Sequence, residues 1–282
     1  MEIIADIIEM QNRCLEARAA GRRIAFVPTM GFLHEGHLSL LREGRKHGDL
    51  LVLSIFVNPT QFGQGEDLDR YPRDFARDEA MARQCGVELL FYPDAQSIYP
   101  AGYETYVTVE GTLTTTLEGA SRPTHFRGVT TIVSKLFAIV QPHVALFGRK
   151  DFQQLAVIRR MTTDLNLPVE IVGLPIVRES DGLAMSSRNV YLSVAERQQA
   201  LALSQAVKQA RQLVAEGVRS VAEVLSDLQC LFAQQPDVRV DYLRICNQAT
   251  LCPQEQIDAD SVLLMAVAVG KTRLIDNGDL SP

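Results

Sequence analysis

The 282-residue chain has no long apolar run, no basic excess and no paired cysteines, and each absence removes a class of protein. No stretch approaches the ~20 consecutive apolar residues that span a bilayer. The amino-terminal MEIIADIIEMQNRCLEAR carries acids throughout and spaces its apolar residues as a helix does, unlike a signal peptide. A cytoplasmic chain is expected. The net charge of −6 opposes a general nucleic-acid or anionic-membrane surface, because those partners need a positive field to gather them. It still allows a local basic pocket for a small anion. The cysteines (Cys14, Cys85, Cys230, Cys246 and Cys252) are odd in number and contain no CxxC pair, so neither a zinc site nor a disulfide framework is indicated. Internal repeats and low-complexity tracts are also missing.

What remains is an ordinary globular composition, 46% hydrophobic and 22% charged, in a chain long enough for one large domain or about two smaller ones. From residue 22 to about 177, apolar runs alternate with amphipathic stretches. The runs Ile24–Val27, Leu50–Val57, Val87–Tyr92, Val144–Phe147 and Val169–Val177 lack polar alternation, as strands buried on both faces of a parallel sheet do. Segments such as Leu38–His47 and Phe152–Leu165 have the length of crossover helices. These features predict an α/β domain, a Rossmann-like doubly wound parallel sheet, over residues 1–175. The Thr- and Gly-rich stretch 94–125 interrupts it and predicts small strands and an ordered loop.

Beyond Tyr191, Ser193 and Glu196 form a capping-box pattern ahead of one long helical stretch, and a second helix is predicted around Ser220–Ala233. VRVDYLRI, VLLMAVAVG and TRLIDN then predict a small antiparallel sheet. A second, smaller α+β C-terminal domain is therefore expected over residues 176–282.

Four clusters follow strands. In PTMGFLHEGH (Pro28–His37), Gly31 permits a tight turn into a helix whose first N–H groups favour an anion. His34 and His37 are three apart and share one face if both are helical. An HxxH pair alone is more often a satisfied structural pair, but the strand, glycine turn and helix start reverse that preference. Zinc is rejected, because HEGH lacks the i, i+4 spacing of a metalloprotease helix. In FVNPTQF, Asn58 and Gln61 offer neutral groups to the hydroxyl and carboxylate of a small ligand, or else merely close an Asn-Pro turn. In GRKDFQQ, Lys150 suits phosphate oxygens, Asp151 a helix cap or a ribose hydroxyl, and Gln154 lies one turn beyond Lys150. The bland alternative is a solvated turn. In RESDGLAMSSRN, Ser186, Ser187 and Arg188 crowd donors suited to a polyphosphate onto one segment, whose alternative is an interdomain linker. In a doubly wound sheet the ligand crevice lies outside the carboxyl ends of the strands, so the four clusters are expected to converge.

PTMGFLHEGH resembles the HIGH-type signature of nucleotidylyltransferases and of one class of aminoacyl-tRNA synthetases, and MSSRN resembles their KMSKS-type loop. The ordered set PTMG-LHEGH, SIFVNPTQF, YPRD, RPTHFRGV, GRKDFQQL and RESDGLAMSSRNVYL resembles, more specifically, the pantothenate synthetase family. The resemblance implies an ATP-dependent ligase that activates pantoate as an acyl-adenylate and joins it to β-alanine. It implies ATP on Met30, Gly31, Phe32, Leu33, His34, Glu35, Gly36 and His37, on Gly148, Arg149, Lys150 and Asp151, and on Val177, Met185, Ser186, Ser187 and Arg188. His34, His37, Lys150 and Arg188 are the implied catalytic groups. Pantoate is implied at Asn58, Gln61 and Gln154, and β-alanine at Gln61, with Arg122 and His125 lining the cleft. Mg²⁺ on the phosphates, no protein metal site, a homodimer, and closure of the C-terminal domain over the cleft complete the expectation. One departure stands out: Arg149 replaces the glutamate of the family's usual GEKD. A nucleotidylyltransferase and a catalytically silent nucleotide-binding module are the competing readings at this point.

Overall fold

A computed structural model describes residues 1–281. The chain divides into two compact units, one of Met1–Arg149 with Gln154–Pro175, the other of Lys150–Gln153 with Ile176–Pro282.

The first unit is built on six parallel strands in the order β1 (Glu2–Ile4), β4 (Leu89–Phe91), β3 (Leu50–Ile55), β2 (Ile24–Thr29), β5 (Val144–Gly148) and β6 (Glu170–Leu174). The register of β2 on β3 runs from Ile24 opposite Leu50 to Thr29 opposite Ile55. Successive side chains of a strand point to opposite faces, and here both faces are apolar. Ile24, Phe26, Leu50, Val52, Ala145 and Phe147 face α1 (Ile7–Ala19), α7 (His125–Val140) and α8 (Phe152–Asp164). Their alternates Ala25, Val27, Leu51, Leu53, Val144 and Leu146 share a second core with Leu40 and Leu41 of α2 (Glu35–His47) and Ala82 of α3 (Phe75–Gln84). From β2 the chain winds outward through β3 and β4, then returns to the other side of β2 as β5 and β6. The order therefore reverses between β2 and β5, where a doubly wound sheet opens its crevice.

Residues 94–125 depart from expectation. No strand forms among them. Three single-turn helices occur instead, α4 (Ala95–Ile98), α5 (Thr112–Thr115) and α6 (Glu118–Ser121). The extended backbone at Val107 is held by side chains of α7, its N–H donating to Thr131 Oγ1 at 3.0 Å and its carbonyl accepting from Thr130 Oγ1 at 2.6 Å. Helical hydroxyls stand where a partner strand would, so threonine content alone misleads.

In the second unit the predicted long helix is two, α9 (Val194–Ala200) and α10 (Ala202–Ala215), followed by α11 (Val221–Ala233). The capping box is present: Ser193 N–H donates to Glu196 Oε2 at 2.8 Å, and Glu196 N–H to Ser193 Oγ at 3.3 Å. The strands β7 (Val238–Asn247), β8 (Ser261–Val269) and β9 (Thr272–Asp279) make an antiparallel sheet in sequence order. Leu263, Met265 and Val267 of β8 pack with Leu203, Ala206 and Val207 of α10 and with Leu228 and Phe232 of α11.

Thr131→Val removes the acceptor of the Val107 N–H. We expect that amide to exchange with solvent at least about tenfold faster, the loss of one hydrogen bond, while amides of β2 and β3 keep their protection. Site-resolved hydrogen exchange measures both.

Candidate active site

At the carboxyl end of β2 the chain makes two consecutive left-handed residues, Gly31 with φ +82° and Phe32 with φ +50°. A Cβ on Gly31 would come within 2.9 Å of Ile55 Cγ2 and 3.0 Å of Asp78 Oδ2, so only glycine fits. Phe32 has no such freedom and is held from outside. Asp78, a buried carboxylate on α3, accepts the Phe32 N–H on Oδ2 at 2.7 Å and the Leu33 N–H on Oδ1 at 2.6 Å. Burial raises the Asp78 pKa, and the two backbone donors offset part of that shift. The Arg77 guanidinium lies 5.0 Å above the Phe32 ring.

This turn delivers His34 to the N-cap of α2 and His37 to its first turn. The His34 backbone N–H approaches His37 Nδ1 at 3.3 Å, and the two rings lie 4.0 Å apart between centroids. A nitrogen that accepts an N–H carries no proton of its own. The His37 ring proton therefore sits on Nε2, which makes that atom a donor at the start of a 13-residue helix whose dipole favours an anion.

The turn after β3, Pro59–Gln61, forms a second centre. Buried Asn58 donates through Nδ2 to Gln61 Oε1 and to the Gly128 carbonyl, both at 3.1 Å. Its Oδ1 accepts from Thr60 Oγ1 at 2.9 Å and from the Tyr99 hydroxyl at 2.8 Å. Both amide hydrogens and both lone pairs are thus used within the protein. Asn58, which the sequence places on pantoate, here orients the Gln61 amide. Gln61 Nε2 lies 2.9 Å from Met30 Sδ, which ties this turn to the one after β2.

Helix α7 approaches Gln61 from the other side. A Cβ on Gly128 would lie 2.3 Å from the Thr60 carbonyl oxygen and 2.6 Å from Gln61 Cα, so the contact depends on glycine. The Gln61 carbonyl accepts from Arg122 Nη2 at 3.2 Å and faces His125 Nδ1 at 2.9 Å. A carbonyl only accepts, so His125 is protonated on Nδ1. Burial, helped by the Arg122 charge, pushes its pKa down to about 4, so the ring is neutral at pH 7. Arg122 itself is held by Glu66, with Nε and Nη2 each 2.6 Å from a carboxylate oxygen.

The first unit thus joins Met30–His37, Asn58, Gln61, Arg122 and His125 into one hydrogen-bonded edge, with Gly148 ending β5, Arg149 opening the 3-10 turn that follows and Gln154 in the first turn of α8. A cavity of about 260 Å³ opens beside it, lined by Met30, Gly31, Phe32, Val57, Tyr92 and Asp94 among others. A larger one, about 610 Å³, lies at the opposite end of the strands, against Leu50, Leu89 and Arg22, away from every predicted site residue. Among the described residues no three His, Cys, Asp or Glu side chains group as a metal site. The sequence reading missed Asp78, although its spacing of four from buried Ala82 puts it on the inward face of α3.

The second unit carries Lys150, Asp151, Val177 and Met185–Arg188. The segment 177–185 is a hairpin rather than a loose linker. Met185 N–H donates to the Val177 carbonyl at 3.0 Å, and Glu179 N–H to the Leu183 carbonyl at 2.8 Å. Asn189 Nδ2 holds it from the far side through Glu179 Oε1 at 2.6 Å and the Ala184 carbonyl at 3.1 Å. Ser186 Oγ accepts the Arg188 N–H at 3.3 Å, opening a 3-10 turn over Ser187–Tyr191.

A Rossmann-like sheet with a histidine pair at the helix after β2, an amide hub after β3 and a basic turn after β5 defines the class of α/β enzymes that act on nucleotides. A sequence profile described as pantoate-beta-alanine ligase matches residues 2–279. The pantothenate synthetase of Syntrophotalea carbinolica is 64% identical over 277 residues, covering 98% of both chains. Among solved structures, the pantothenate synthetase of Thermus thermophilus superposes with a TM-score of 0.95 at 46% identity, covering 100% of each chain. A pantoate-beta-alanine ligase of Francisella tularensis, complexed with beta-gamma ATP and beta-alanine, gives 0.82 at 30% identity over 98% of this chain and 97% of that one. The chain belongs to the pantoate–β-alanine ligase family. It is an enzyme that joins pantoate to β-alanine.

Two outcomes follow for this edge. Asp78→Asn keeps the size but turns an N–H toward a backbone donor, and should lower kcat/KM for ATP about tenfold or more while the circular dichroism spectrum is unchanged. For His125, the unfolded ring takes a proton near pH 6.5 and the folded one only near 4, so stability is constant above 6.5 and falls as pH drops between those values. The loss by pH 4 should approach about 3 kcal/mol, and His125→Asn should remove that part of the slope in urea denaturation.

Proposed function

We propose that the ligase works through a pantoyl-adenylate, releasing AMP and pyrophosphate. A pantoate carboxylate oxygen attacks the α-phosphorus of ATP in line, the bond to the bridging oxygen breaks, and pyrophosphate leaves. The β-alanine nitrogen, as the neutral amine, then attacks the acyl carbon. An amide forms, AMP departs and the nitrogen loses a proton. No covalent bond to the protein is needed, and catalysis rests on positioning and charge stabilisation.

The observation that carries this reading is the hydrogen bond between the His34 N–H and His37 Nδ1. Because Nδ1 accepts, Nε2–H is left as a neutral donor at the helix start to meet charge developing on a phosphate. His34 assists from the N-cap. Backbone groups of Met30–His37 and Gly148–Asp151, with Val177 and Met185–Arg188, are assigned to ATP, and Lys150, Ser187 and Arg188 to its phosphates. Gln61, fixed by Asn58, is assigned to pantoate and β-alanine, and Gln154 to pantoate. Mg²⁺ would be brought by the phosphates of ATP and would offset part of their negative charge. A homodimer in the cytoplasm belongs to the same reading. No described helix is long and apolar enough to cross a membrane.

The test follows the carboxylate oxygen. Pantoate labelled with ¹⁸O in its carboxylate should transfer one label to AMP, and label in inorganic phosphate with ADP as product would replace the adenylate by an acyl phosphate. His37→Ala should lower kcat about 10²–10³-fold, as loss of a transition-state donor does, with the fold intact by circular dichroism.

A further inference from the structure

Two neighbours on β9, Asp276 and Asn277, hold segments that are far apart in sequence. Adjacent residues of a strand point to opposite faces. Asp276 is paired in register with Met265, which faces α10 and α11, and Asn277 with Leu264, on the other face. On the helix side, buried Asp276 receives both terminal nitrogens of Arg178, at 2.7 Å and 2.9 Å. Such a fork fixes the plane and direction of the guanidinium as well as its distance. Arg178 begins the hairpin that leads into Met185–Arg188, and its Nη1 also donates to the Gly182 carbonyl at 3.2 Å. On the opposite face, Asn277 Nδ2 donates to the Lys150 carbonyl at 2.8 Å.

The Asn277 backbone is itself fixed, its N–H donating to Asp276 Oδ1 at 2.8 Å. A single carboxylate therefore orients both the hairpin and the strand residue that holds the turn of Lys150. Lys150–Gln153, which follow β5 after the single residue Arg149, belong to the second unit, as β9 does.

We propose that Asn277 is a positioning residue for Lys150, and that β9 sets the spacing between Lys150 and the Ser186–Arg188 segment. The inference rests on the assignment of Lys150 to the phosphates of ATP. Asn277 touches no reacting atom in this scheme. It holds the 3-10 turn Arg149–Asp151 by its central carbonyl, which fixes where the lysine side chain starts.

The test is a double-mutant cycle in the full-length protein, with the non-hydrolysable β,γ-imido analogue of ATP as the calorimetric probe and the three Michaelis constants measured in parallel. Asn277→Ala removes the donor. Asn277→Asp keeps the size, replaces the donor with an acceptor facing a carbonyl, and serves if the alanine variant folds poorly. Each should weaken analogue binding and raise the KM for ATP by about tenfold, with the KM for β-alanine unchanged. In a Lys150→Ala background, Asn277→Ala should cost less than about twofold more. Wild-type affinity in both Asn277 variants, an equal loss with and without Lys150, or a parallel rise in all three constants would overturn the proposal. If Lys150→Ala alone binds the analogue as wild type does, the phosphate assignment itself fails. An impaired Lys150→Ala beside silent Asn277 variants refutes only the positioning role.

Discussion

A strand packed on both faces has no side chain left for chemistry. β2 and β3 are in that position over most of their length: Ile24–Val27 and Leu50–Leu53 alternate between two separate cores. The candidate site residues accordingly follow the carboxyl ends of these strands, where something other than regular structure must fix them. Buried Asp78 does this for the segment after β2, supplying acceptors to two amides in a left-handed turn that the sheet cannot pair. Asn58 does it for the segment after β3 by using all of its own hydrogen-bonding capacity on neighbours. Neither residue has to touch a substrate for the arrangement to fail without it.

Arg122, the cation that bonds the Gln61 carbonyl, is paired locally. Arg122 is forked onto Glu66 and lies near Glu118, and its bonds hold the Glu66 pKa down even though burial opposes them. His125 is kept neutral by burial. One guanidinium thus meets two carboxylates, Glu66 and Glu118, beside a neutral imidazole. The positive groups of the proposed chemistry, Lys150 and Arg188, belong to the second unit. The overall charge of −6 is compatible with binding a polyphosphate because the basic groups are few and placed, not spread over a surface.

Four of the five apolar runs are strands buried on both faces, β2 to β5, where burial removes alternation, and the fifth is the part-buried edge strand β6. The ends of the runs were less legible: the run expected over 169–177 pairs only over Glu170–Leu174. β1 escaped notice because three residues cannot establish a period. The Gly31 turn and the histidine pair could be read from residue types alone, since each has a local physical reason to be there. Asp78, Asp276 and Asn277 could not be assigned in the same way. Their partners lie 45, 98 and 127 positions away, and an acidic or amide side chain gives no sign of such a distant bond. Residues 94–125 misled for the opposite reason: threonine is a local signal for a strand, but the decisive bonds come from hydroxyls on another element.

The separation of Lys150 from Asn277 also bears on how the chain is made. A ribosome adding about 5–20 residues each second completes the 127-residue interval in roughly 6–25 s. All six strands of the parallel sheet have been synthesised by Leu174, long before β9 appears. A newly made chain can therefore hold all six parallel strands for several seconds before Asn277, the partner of the Lys150 carbonyl, exists.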